Sequence, residues 1–148
     1  MKAIIVCLLL GLSFSYSGIG AINYALRYCN NYNPKYNSYK GTEKEESANF
    51  VSQCISIGGG GQDLSGCEGL DDKGMIPKIS DLKRCLISKG WKIGAKISTG
   101  DPLFLRTGSY AMIFTGFDNK RLMLKFSSHS PDRCDGVTSV SSVEGYHI

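Results

Sequence analysis

Glu46-Ser47-Ala48-Asn49-Phe50-Val51-Ser52-Gln53-Cys54 carries a helical pattern, with Phe50, Val51, Cys54 and the following Ile55 apolar and spaced as one helix face. The glycine run Gly58 to Gly61 stops that helix. The pattern predicts Ser47 at the helix N-terminus, where unpaired backbone N–H groups and the macrodipole favour a developing anion. A cysteine at that place would be a nucleophile with a lowered pKa. A serine there reads first as an N-cap. Glu43, Glu45 and Glu46 crowd the same end, which suits a structural helix start because carboxylates complement the dipole and oppose an oxyanion.

Working outward, the N-terminus reads as a secretory signal. Lys2 supplies the positive region, Ala3 to Leu12 the apolar core, and Ser15-Tyr16-Ser17 a small-x-small cleavage site, so 1–17 is expected to be a signal peptide and 18–148 a single domain. The apolar run is too short to span a bilayer, and no later stretch is longer. The expected location is secreted. The remainder, about 130 residues, suffices for one core. The net charge of +4 comes from scattered Lys and Arg without a basic stripe, which argues against a nucleic-acid partner.

After the leader, five cysteines remain: Cys29, Cys54, Cys67, Cys85 and Cys134. An odd count allows at most two bridges and leaves one thiol free or paired with another chain. No spacing suits zinc, and neither a metal nor a cofactor is expected. Cys29 and Cys54 lie on apolar helix faces and read as small buried hydrophobes.

The first helix is expected from about Ile19 to Asn31, with Ile22, Ala25, Leu26 and Cys29 inward. Tyr24, Tyr28, Tyr32, Tyr36 and Tyr39 read as packing on that helix and its exit loop in preference to a sugar-stacking ladder. Residues 62–77 read as an extended loop tied down by Cys67. Ser80 is expected to cap a third helix with Leu82, Cys85 and Leu86 inside and Gly90 at its end. Strands are expected at Trp91–Ile93, Pro102–Arg106, Tyr110–Phe117, Arg121–Ser127 and Val137–Val143, with a tight turn at Asp118-Asn119-Lys120. Helices first and antiparallel strands later predict an α+β fold.

The helix letters resemble those of the putative amidase domain family, papain-like (NlpC-type) secreted amidases whose helix typically reads Asp-Cys-Thr-Asn-Phe-Val-Ser-Gln-Cys. Asn49 to Cys54 is intact, and Glu46-Ser47 stands where the family has Asp-Cys. Tyr24-Ala25-Leu26-Arg27-Tyr28 with Tyr32-Asn33 is similar to the family's first helix. Gly100-Asp101 and Ser109-Tyr110-Ala111-Met112-Ile113-Phe114-Thr115-Gly116 resemble the strand pattern that opens on the family's base His, with Tyr110 at the His position. The third polar position resembles His129 within Ser128-His129-Ser130.

The resemblance implies a papain-like fold, N-terminal helices packed on a C-terminal antiparallel sheet, with positions 47 and 110 facing each other. A serine needs a general base in contact, and Tyr110, with an ordinary pKa of about 10, is a poor one. The expectation is a secreted, catalytically inactive amidase-like domain that binds cell-wall peptide or glycan, or an extracellular protein partner, through its degenerate groove. The alternatives are an active cell-wall amidase or peptidase using Ser47 with His129, and a structural extracellular component.

Overall fold

A computed structural model describes residues 15–41, 46–56, 58–94, 96–120 and 122–148. The expected leader falls outside them up to residue 14, as do Glu43 and Glu45. The described residues form three helices followed by a six-stranded antiparallel sheet, so the α+β order holds.

Helix α1 spans Gly18–Tyr28, and the Oγ of its N-cap Ser17 accepts a hydrogen bond from the Gly20 amide at 3.1 Å. It stops short of Asn31, and its buried stripe is Ala21, Tyr24, Ala25 and Cys29, whereas Leu26 is exposed. The reason is close backbone approach. A Cβ on Gly18 would sit 2.3 Å from the Thr99 carbonyl oxygen, and one on Gly20 would sit 2.3 Å from that of Gly59. The close approach turns the helix so that Ala21, Tyr24 and Ala25 are buried, Ile22 is half-buried and Leu26 is exposed.

Helix α2, Glu46–Ile55, is buried on every side. The glycine turn closes it as expected: the Gly60 amide donates to the Cys54 carbonyl and the Gln62 amide to that of Ile55, each at 2.8 Å. Because the helix begins at Glu46, Ser47 lies within it and is not the cap. Helix α3, Ile79–Ser88, buries Leu82, Cys85 and Leu86 as expected, but it starts one residue before Ser80, with Lys78 at the N-cap and no side-chain cap. Gly90, at φ +93°, leads the chain out of the helix and into Trp91.

The strands are β1 Lys92–Gly94, β2 Pro102–Leu105, β3 Ala111–Phe117, β4 Met123–Ser128, β5 Arg133–Ser139 and β6 Val143–His147, in the order β1-β6-β2-β3-β4-β5. Asp118 makes the β3–β4 turn, its Oδ1 accepting from the amides of Leu122 and Met123. The single final strand expected at Val137–Val143 is instead two strands joined by a 3-10 turn at Val140–Ser142. Gly136 and Gly145 disguise them, since each weakens the strand pattern while admitting a large neighbour: the Phe126 ring lies over Gly136 and Ile97 over Gly145.

Side chains alternate across the sheet. Phe104, Ala111, Ile113 and Tyr146 join the helices in the main core. Leu103, Met112, Phe114, Leu124, Phe126 and Val143 form a second cluster on the outer face, with Ile97, Leu105 and Tyr110 packed against it.

Two disulfides tie the layers. Cys29–Cys134 joins the end of α1 to β5, and Cys67–Cys85 pins the long loop to α3. Cys29 is thus a bridge partner and not merely a buried hydrophobe; its burial against β5 is what brings it to Cys134. Cys54 is the free cysteine among the described residues, and burial pushes its thiol well above the ordinary range.

Candidate functional site at the start of the buried helix

Helix α2 delivers Glu46 and Ser47 to the edge of β3, and both are buried. The Ser47 Oγ accepts a hydrogen bond from the Ala111 amide at 3.1 Å. Helix start and strand start therefore meet, through a main-chain amide.

Tyr110, one residue before, packs with the outer cluster and sets its ring edge-on to Phe126 at 6.1 Å between centroids. Its hydroxyl is hydrogen-bonded to the Ser128 hydroxyl and donates to the Pro131 carbonyl at 3.3 Å. Burial pushes its pKa up, and the Ser128 hydrogen bond with the nearby Arg133 only partly opposes this. It stays a neutral phenol at physiological pH.

His129 enters from the turn after β4 and is 1 % exposed. Its Nε2 lies 2.7 Å from the Tyr28 carbonyl oxygen, which can only accept, so Nε2 carries a proton and donates it. Its Nδ1 lies 3.2 Å from Glu46 Oε1. Glu46, 2 % exposed, has further donors around it: the Asn49 amide side chain at 3.1 Å on Oε1 and the Tyr39 backbone amide on Oε2. The imidazole is sandwiched between Phe50 at 4.0 Å and Tyr32 at 4.2 Å between ring centroids. Tyr32 is fixed in turn by its hydroxyl, which donates to Asp132 at 3.0 Å.

Each of the three residues that the sequence put forward has partners of its own. Ser47 meets Ala111, Tyr110 meets Ser128, and His129 meets Glu46 and Tyr28. Both ring nitrogens of His129 are engaged, which leaves neither to take a proton from Ser47. The partner that sequence reasoning missed is Glu46. Three glutamates stand at that helix end, and nothing in their order tells which one is buried against the histidine.

The other imidazole of the remaining chain, His147, pairs its Nδ1 with Asp101 Oδ2 at 2.8 Å, and the same oxygen accepts from the Ser98 amide at 2.7 Å. Burial raises the Asp101 pKa, with the Ser98 and His147 hydrogen bonds pulling against it. His147 lines an outer cleft of about 730 Å³ together with Ile97, Arg106 and Val143. Among the described residues no group of His, Cys, Asp and Glu could hold a metal ion.

Residues 15–69 match the family described as putative amidase domain. The match supports an amidase-like family. It spans α1, α2 and the start of the following loop, so Ser47 falls inside it and Tyr110 and His129 outside. Comparison with curated proteins and with solved structures gave no match. No described helix is long and apolar enough to cross a membrane.

Proposed function

We propose that this chain is an exported, papain-like amidase domain that has kept the shell of its site and does not hydrolyse amides. The observation that carries the reading is the engagement of both His129 ring nitrogens by Glu46 and Tyr28, which deprives the buried Ser47 of a base. The phenol of Tyr110 cannot take over, since burial drives it further from ionisation. A serine without a base in contact is a weak nucleophile. The old groove then serves binding, through the exposed rim residues Ser109, Ser130 and Pro131, with cell-wall peptide or glycan, or an extracellular protein, as the partner.

Co-sedimentation of the exported protein with insoluble peptidoglycan, followed by assay of the same pellet for new amines, tests this. Retained protein with no amine release above a Ser47→Ala control is the expected outcome. Amine release above that control rejects the reading in favour of a working hydrolase. Absence of retention shifts the partner from the wall to a protein.

A further inference from the structure

We infer that the leader is cut between Ser15 and Tyr16, so that Tyr16 begins the mature chain. The inference rests on the export reading and goes beyond it by assigning the processing site. The expected leader 1–17 puts the cut after Ser17, and the same pattern also admits a cut after Ser15. Small residues stand at the third and first positions before the cleaved bond in Ser13-Phe14-Ser15 and again in Ser15-Tyr16-Ser17. The structure discriminates between them.

Tyr16 is a working part of the domain. Its hydroxyl donates to the Gly100 carbonyl at 2.6 Å, and its ring meets Trp91 edge-on at 4.7 Å between centroids. Gly60 lacks a side chain where that ring passes, since a Cβ there would lie 2.2 Å from it. Ser17 contributes next, its amide donating to the Gly60 carbonyl at 2.8 Å and its hydroxyl capping α1. A cut after Ser17 would remove all of these contacts and leave Trp91 against a void. Ser15 is exposed. The family match, an independent observation, begins at residue 15. A cut after Ser13 would take its third small position, Gly11, from within the apolar core that ends at Leu12.

In the cleavage, water adds across the Ser15–Tyr16 amide. The leader leaves with the Ser15 carboxylate, and Tyr16 keeps the nitrogen as an ammonium group. The enzyme class is a signal peptidase that reads small residues.

The test is the intact mass and N-terminal sequence of the protein recovered from the medium after expression of the full chain. A mature chain beginning at Tyr16 is the expected result. A start at Gly18 or at Phe14 overturns the assignment while leaving export intact, and an uncut, retained chain overturns export itself. Ser13→Lys gives a second reading, because it spoils the cut after Ser15 and leaves the positions that govern a cut after Ser17 untouched. Loss of the Tyr16 start in Ser13→Lys, with or without a shift to Gly18, supports the inference; the same Gly18 start in both chains contradicts it. Tyr16→Ala should leave the cut in place and lower the Tm of the secreted protein by about 5 °C or more, whereas an unchanged Tm would mean that Tyr16 is not held as described.

Discussion

His129 shows how far a residue's role depends on what surrounds it. Two aromatic rings, a carboxylate and a carbonyl occupy every direction in which the imidazole could act. Ser47, in the same way, gives its oxygen to a strand amide. Asp71 is a comparable case in the long loop. Burial alone would raise its pKa, but hydrogen bonds from the amides of Met75 and Lys73 and from the side chains of Tyr39 and Asn37 outweigh that and hold it below the ordinary value. A depressed carboxylate stabilises the fold above its unfolded pKa of about 4 and loses that contribution as pH falls through the folded value. The wild type should therefore lose Tm more steeply than Asp71→Asn between about pH 5 and pH 3; parallel curves would show that Asp71 contributes nothing. Cys54 should stay silent toward a thiol reagent in the native state and appear as a single thiol per exported chain on denaturation, since the other four are bridged. Five thiols on denaturation would deny the bridges.

At the level of elements, α2 was legible because its apolar spacing and glycine stop are local signals, and the structure reproduces both. The hairpin at Asp118 was legible for the same reason, as a turn residue between two apolar runs. β6 was not. Its Glu144, Gly145 and His147 break the pattern of a strand, and it exists because β1 and β2 flank it and Ile97 packs on the glycine. The α1 stripe was read in part: Ala25 and Cys29 are inside as expected, but close backbone approach at Gly18 and Gly20 turns Ala21 and Tyr24 inward and leaves Leu26 exposed, which the periodicity of large side chains does not register. At the site, the helix pattern brought Ser47 to the start of α2 but as its cap and not inside it, while the Glu46–His129 contact, made across a sequence separation of 83, left no local trace. The Cys29–Cys134 bridge is likewise a long-range fact, with a separation of 105. A loop of that length predicts a sizeable loss on opening, and Cys29→Ser with Cys134→Ser should cost about 2–5 kcal/mol in denaturant unfolding. Equal stability of that variant and the wild type would mean that the bridge does not form.

For the molecule as a whole, the junction of helices and sheet is the decisive feature. Cys29–Cys134, Ser47 with the Ala111 amide, and Glu46 with His129 all cross it, so Ser47 and His129, which the proposed reading assigns to a former amidase site, help to hold the two layers together. The central claim is that this junction is built for cohesion and not for hydrolysis. A double-mutant cycle on Glu46→Gln and His129→Gln, followed by denaturant unfolding with amide hydrolysis assayed in all four proteins, tests it most directly. Removing one partner of a buried pair leaves the other uncompensated, so each single variant should lose about 3–5 kcal/mol. The double variant should lose less than their sum by at least about 1 kcal/mol, with hydrolysis at background throughout. Unchanged stability in the single variants, together with a hydrolytic activity that the wild type shows and His129→Gln lacks, would contradict the account.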